Sequence, residues 1–271
     1  MKYVHGKKDF KIPALGLGTY RLTDQGAVDM VSAALDIGYR HIDTASVYKN
    51  QDAIGEAVEK SSVDREDIFI TSKVWHTNLH YEGVKTEIEQ TLNLLNTDYV
   101  DLYLIHWPNR NIPLEDTLKA LHEIRDEGKV RYIGVSNFTI HHLEDEKELG
   151  GDIVCNQVEF HPTFYQKELL EYCKNEDIVL TAYSPLAQGA DLKEPVIKEI
   201  AEKYDVSTAQ VVLNWILAKG AVAIPRSNKR EHIRDNWETL SWNLEAEDIE
   251  QIDEINRDNR ILDFGFSEFD Y

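Results

Sequence analysis

From Ala14 onward the chain repeats one unit: a short apolar run, then a longer stretch with apolar residues at helical spacing. Strand-like runs fall near 15–18, 41–43, 68–73, 99–106, 131–136, 154–159, 178–183 and 222–225. Helical patterns fall near 25–37, 50–60, 81–95, 115–127, 139–148, 166–175 and 194–219, the last divisible at Asp205-Val206-Ser207 with Ser207 as an N-cap. Several runs, such as Ile178-Val179-Leu180-Thr181-Ala182-Tyr183, are almost continuously apolar, as in a parallel strand covered on both faces. Eight strands, each followed by a helix, close most economically into a (β/α)8 TIM barrel of the α/β class. Ahead of them, Tyr3-Val4 and Phe10-Lys11-Ile12 read as an N-terminal β-hairpin turning through 5–9. No linker or low-complexity tract interrupts the alternation, so residues 1–271 are expected to form one barrel domain.

In such a barrel the chemistry collects where the strands end. Asp43 closes the second run and Tyr48 follows five residues later; Lys73 closes the third and His106 the fourth. Ser136-Asn137, Gln157 with Glu159, Tyr183-Ser184 and Arg226-Ser227 end the later runs, so they share the same rim. A lysine closing an apolar strand is costly unless an opposite charge meets it, and Asp43 is the available acid. A nearby ammonium stabilises phenolate, so Lys73 is expected to lower the pKa of Tyr48 and make it a proton donor. His106 is placed to aim an N–H at the same substrate oxygen. No nucleophile is paired with a base, and no Cys or His cluster has metal-ligand spacing. What remains is protonation of an oxygen while an electron pair reaches the attached carbon, which suits hydride transfer from a nicotinamide. The Tyr183 face can stack on that ring, and Asn137 and Gln157 can meet its carboxamide. Taken singly, Asp43 with Lys73 reads equally as a structural ion pair, Tyr48 as a loop tyrosine and His106 as a core histidine. Their joint placement at successive strand ends is what argues for a site.

Charge narrows the partners. Acids number 49 against 29 Lys and Arg, a net charge of -20, which disfavours nucleic acid and anionic membranes. Against that background the cluster Arg226, Lys229, Arg230 and Arg234 is informative, since a polyanionic ligand needs one. No apolar run approaches the roughly 20 residues of a membrane-crossing helix, and the N-terminus has no signal-like apolar stretch, so a cytoplasmic protein is expected. Cys155 and Cys173 read as reduced core thiols.

The segments Gly16-Leu17-Gly18-Thr19, Gly38-Tyr39-Arg40-His41-Ile42-Asp43-Thr44-Ala45, Ile105-His106-Trp107-Pro108, Gly134-Val135-Ser136-Asn137-Phe138 and Ile224-Pro225-Arg226-Ser227 resemble those of the aldo-keto reductase superfamily, over about Ile12 to Arg260. Within it the chain most resembles bacterial 2,5-diketo-D-gluconate reductases, which also reduce methylglyoxal and other small aldehydes. The resemblance implies a catalytic tetrad of Asp43, Tyr48, Lys73 and His106. It implies cofactor contacts from Gly18, Thr19, Asp43, Ser136, Asn137, Gln157 and Tyr183, from Ser184, Leu186 and Gln188 over the pyrophosphate, and from Ile224, Arg226, Ser227, Asn228, His232, Asp235 and Asn236 at the adenosine end. It places the carbonyl among Tyr20, Tyr48, Trp75, His106, Trp107 and the aromatic tail Phe264 to Tyr271. Arg226 stands where the family usually has lysine, and His232 where it usually has arginine. Arg226 and Lys229 keep cations for a 2′-phosphate, so NADPH is the expected cofactor and NADH the weaker alternative. The segment Pro108 to Pro113 is short, which implies an open pocket, and the family implies a monomer. Two other classes compete: a nicotinamide-cofactor-sensing binding module without turnover, and an unrelated barrel enzyme such as a phosphate-binding isomerase or lyase.

Overall fold

The computed structural model describes residues Met1–Tyr271. The chain opens with an antiparallel hairpin, β1 (Tyr3–His5) and β2 (Lys11–Pro13). Eight parallel strands follow in sequence order: β3 (Leu17–Gly18), β4 (His41–Asp43), β5 (Phe69–Val74), β6 (Val100–Ile105), β7 (Val130–Ser136), β8 (Cys155–Glu159), β9 (Val179–Tyr183) and β10 (Val222–Ala223). The first and last of these meet at a seam. Leu15 bridges Ala223 in parallel, the Gly16 N–H donates to Ala223 O at 2.9 Å, and the Ala223 N–H donates to Ala14 O at 3.0 Å. The eight-stranded sheet is thereby closed into a (β/α)8 barrel without a free edge of its own.

The helices are α1 (Asp24–Ile37), α2 (Gln51–Glu59), α3 (Tyr81–Leu95), α4 (Leu114–Asp126), α5 (Ile140–Glu148), α6 (Lys167–Asn175), α7 (Pro195–Tyr204), α8 (Thr208–Ala218), α9 (Arg230–Glu238) and α10 (Ala246–Asp253). The long pattern over 194–219 is two helices. Asp205 turns into the left-handed region at φ 54°, and the Ser207 hydroxyl then caps α8 by accepting from the Gln210 N–H at 3.1 Å. Helices α9 and α10 lie beyond the expected set. Each buries only two side chains, Ile233 with Asn236 and Asp248 with Ile252, too thin an apolar face for periodicity to reveal.

Packing decides which end of the barrel is open. Phe10 and Ile12 of the hairpin are fully buried against the strand side chains Leu102, Leu104, Cys155, Val179 and Val222. Phe10 meets Phe69 and Tyr132 edge-on, with centroids at 6.1 and 4.9 Å, near the starts of β5 and β7. Burying a phenylalanine contributes roughly 1.5–3 kcal/mol, and here it also seals the N-terminal mouth. The other end, where the strands finish, is left for the site.

Candidate active site

Parallel pairing of β4 with β5 and of β5 with β6 sets Asp43, Lys73 and His106 side by side at the open end. Lys73 is fully buried, and its ammonium donates to Asp43 Oδ1 at 2.6 Å and to Thr44 O at 2.7 Å. Gln157 Nε2 donates to the other carboxylate oxygen at 2.7 Å. Burial pushes the Asp43 carboxyl up and the Lys73 ammonium down from their ordinary values, and the ion pair opposes both shifts. With one ammonium hydrogen unspent, Lys73 Nζ lies 5.1 Å from the centroid of the Tyr48 ring.

Tyr48 ends the 3-10 turn Ser46–Tyr48 and stands half-buried between Tyr20, at 5.1 Å, and His106, at 5.7 Å between centroids. The expected lowering of its pKa is not what the structure shows. Burial first, and the Asp43 charge second, push the hydroxyl well above the usual phenol range. The physical reason is that burial withdraws water from the charged phenolate, and the Asp43 carboxylate, paired with Lys73 at 2.6 Å, adds a like charge against it. Tyr48 therefore holds its proton at ordinary pH. Burial and the Lys73 charge hold His106 well below the usual imidazole range, so the ring is neutral. Its Nδ1 is buried without a partner, which leaves Nε2 as the nitrogen with access to the cleft.

Two supporting residues escaped the sequence reading. Glu87 of α3 accepts from the Trp75 N–H at 2.9 Å, from Asn78 Nδ2 at 2.6 Å and from the Ser46 hydroxyl, so it ties the Tyr48 turn to the Trp75 loop. The signal was an acid on the apolar face shared by Val84, Ile88 and Thr91. Asn50 donates to Thr19 O at 2.9 Å and Leu22 O at 2.8 Å and accepts from the Thr44 hydroxyl at 2.9 Å, joining the loops after β3 and β4.

Around this centre the other expected residues fall into two groups. Ser136 donates to Gln157 O at 2.7 Å. Asn137, at φ 64°, donates from Nδ2 to His106 O at 2.9 Å and to Ser136 Oγ at 3.1 Å, and its Oδ1 accepts from the Tyr183 hydroxyl at 2.7 Å. The amide hydrogens of Asn137 are thus spent inside the protein, and Gln157 retains Oε1. Gly18, Thr19 and Ile224 lie at the barrel seam, where the Gly18 N–H meets Pro225 O at 3.1 Å and the Thr19 hydroxyl meets Asp43 O at 2.8 Å. A Cβ on Gly18 would approach Ile224 O to 2.7 Å, so only glycine permits that contact. Ser184, Leu186 and Gln188 form the tight segment leaving β9, with Ser184 at φ 46° and Gln188 at φ 53°.

At the far end, Arg226 donates to Tyr20 O at 3.1 Å and Arg21 O at 3.4 Å, and the Lys229 N–H donates to Ser227 Oγ at 3.0 Å. Arg226, Asn228, Lys229, Arg230, His232 and Arg234 are exposed around the start of α9. The acids nearest this group stand 3.6 Å from Lys229 and 3.8 Å from Arg230 in exposed pairs that offset little charge. Asp235 instead accepts from Ser207 Oγ at 2.6 Å and Gln210 Nε2 at 2.7 Å, bracing α9 on the start of α8, and Asn236 is buried.

Of the residues expected around the substrate, Trp75 meets His106 edge-on at 5.2 Å and Tyr20 is half-exposed beside Tyr48. Trp107 is buried under the tail, with Phe264, Phe266 and Phe269 at 5.6, 5.5 and 5.7 Å. Although the segment Pro108 to Pro113 is short, the tail walls that side: Glu268 accepts from the Arg110 N–H at 3.0 Å, and the Tyr271 hydroxyl donates to Asp145 at 2.8 Å.

Residues 14–257 match the sequence model of the Aldo/keto reductase family. A Bacillus subtilis protein named glyoxal reductase is 45% identical over 93% of this chain and 91% of its own length. Methylglyoxal reductase DkgB of Escherichia coli O157:H7 is 40% identical over 93% of this chain and 96% of its own. The crystal structure of an aldo-keto reductase from a Medee basin deep-sea metagenome superposes with a TM-score of 0.94, at 37% identity and over 100% of both chains.

Proposed function

The chain belongs to the aldo/keto reductase family, and from that premise we propose that it reduces small dicarbonyls and keto-sugar acids to alcohols, using NADPH and Tyr48 as the proton donor. The observation that carries this reading is the fully buried Lys73, paired with Asp43 at 2.6 Å and lying 5.1 Å from the Tyr48 ring at the open end of the barrel. A charge buried that deeply at a cleft floor is a large electrostatic investment, and a phenol losing its proton above it is what the charge can serve.

The parts take the following roles. Tyr183, with Ser136, Asn137 and Gln157 at the carboxamide, would hold a reduced nicotinamide, which would supply the hydride. Tyr48 gives its proton to the carbonyl oxygen as negative charge develops there, and the Lys73 ammonium stabilises the phenolate left behind. Asp43 holds Lys73 in place, and Gln157 holds Asp43. Neutral His106 donates from Nε2 to the same oxygen and fixes its direction. Trp75, Trp107, Tyr20 and the aromatic tail exclude water around the carbon. The exposed cations at Arg226 and Lys229 suit a 2′-phosphate, and a single-domain, cytoplasmic monomer completes the proposal. Methylglyoxal, glyoxal and 2,5-diketo-D-gluconate, each offered with NADPH and with NADH, test it. Carbonyl-dependent oxidation of NADPH is expected; tight NADPH binding without turnover across such a panel would mark a cofactor-sensing module instead.

Cofactor choice carries its own expectation. Arg226→Ala removes a forked donor from the phosphate end, so KM for NADPH should rise about tenfold or more while KM for NADH changes by less than about threefold. Initial rates with each cofactor check this. Equal effects on both would move the phosphate elsewhere.

A further inference from the structure

Beside the cleft, three ionisable side chains that the proposed chemistry does not use are fully buried against one another: Glu159, His161 and Asp191. His161 Nε2 lies 3.1 Å from Glu159 Oε1, and Nδ1 lies 3.1 Å from Asp191 Oδ2. An imidazole facing a carboxylate at each nitrogen donates from both, so it is the imidazolium. With both nitrogens spent on carboxylates, the group is not a metal site.

Both carboxylates also accept from backbone and hydroxyl donors in separate parts of the chain. Glu159 accepts from the Ile261 N–H at 2.6 Å and the Leu262 N–H at 2.8 Å. Asp191 accepts from the Thr163 hydroxyl at 2.7 Å and the Thr163 N–H at 3.1 Å, and Thr163 O in turn accepts from the Asn259 N–H at 3.0 Å. Glu159 is in register with Tyr183 across β8 and β9, and it stands two residues past Gln157, which holds Asp43. Asp191 ends the 184–190 segment that leaves Tyr183. Ile261 and Leu262 lead into the tail that covers Trp107. One buried hydrogen-bonded chain therefore runs from the loop over the cofactor side to the start of the wall on the carbonyl side.

We propose that Glu159, His161 and Asp191 act as one positioning unit that sets the 184–190 loop and the C-terminal tail together, so that neither binding site is formed without the other. This rests on the reading that those two segments face cofactor and carbonyl. Buried charges of this kind are interdependent: removing one leaves its neighbour desolvated and unpaired, and the loss spreads to that neighbour's other contacts. Asp191 makes no bond to residues 261–262, yet its loss should free them by way of His161.

Amide hydrogen exchange and steady-state kinetics on Asp191→Asn, His161→Gln, Glu159→Gln and the Glu159→Gln/Asp191→Asn double variant test the unit. In Asp191→Asn, which keeps an acceptor for Thr163, the Ile261 and Leu262 amides should exchange about tenfold faster or more. KM should rise about five- to twentyfold for NADPH and for methylglyoxal alike, with kcat within about threefold of wild type. His161→Gln should show the same paired rise, and the double variant should be no worse than its more severe parent. Unchanged exchange at 261–262 in Asp191→Asn, a rise in KM for one ligand only, or full additivity would each overturn the proposal. Exchange needs no turnover, so the two readings fail separately. A wild type that reduces no carbonyl while residues 261–262 still loosen removes the reductase and leaves the linkage. Turnover with unmoved exchange does the reverse.

Discussion

Tyr48→Phe should lower kcat by about a thousandfold while leaving the fold and NADPH affinity intact, since positioned general acids contribute typically 10²–10⁴-fold. The ring of Tyr48 is held by its packing between Tyr20 and His106 rather than by its hydroxyl, so phenylalanine fits the same space. What the variant loses is the Tyr48 phenolic proton beside the Lys73–Asp43 pair. Single-turnover rates and cofactor titration separate the two effects. If the carbonyl is still reduced at near wild-type kcat, Tyr48 is not the donor and the role passes to another group in the cleft.

Lys73→Met should show a second large effect, this time on both stability and rate. It leaves Asp43 buried with Gln157 as its remaining partner, and stranding one member of a buried pair costs about 3–5 kcal/mol. Turnover should fall about 10²–10⁴-fold, because the phenolate formed by Tyr48 has lost its cation. The double variant Asp43→Asn/Lys73→Met separates the consequences. Replacing both charges removes the unpaired ion, so most of the stability should return, yet activity should not. Denaturant midpoints and kcat measured on the same preparations decide it. Wild-type turnover in either variant would make the pair structural only.

The barrel was legible because its signal is redundant. Each strand run is bounded by a helix of the right period, and the observed strands from β4 to β9 begin and end within about a residue or two of the expected runs. The strand-end rule then gathered Asp43, Lys73, His106, Ser136, Gln157 and Tyr183 onto one rim before any distance was known. Other features needed coordinates because they depend on who meets whom. Asp43 was expected to hold Lys73, but only the coordinates show that burial, with the Asp43 charge behind it, outweighs the ammonium's pull on the free phenol. Glu87 reads along the chain as one more acid in an acidic helix, and its three bonds to the Tyr48 and Trp75 loops are tertiary. Asp235 directly follows the basic cluster in sequence, yet it turns away from it to hold Ser207 and Gln210. The tail was assigned to the carbonyl side by family likeness alone; that three of its phenylalanines pack around Trp107 is a tertiary fact no periodicity announces.

The most direct test follows the two hydrogens that reach the product. Methylglyoxal is reduced with NADPH carrying deuterium at the reactive C4 position, in ordinary water, and the alcohol is analysed by mass spectrometry. A single deuterium is expected on the former carbonyl carbon, with the hydroxyl hydrogen drawn from solvent through Tyr48, and no labelled product from Tyr48→Phe above a trace. An alcohol without deuterium on that carbon, or methylglyoxal consumed while the NADPH absorbance stays constant, would contradict it.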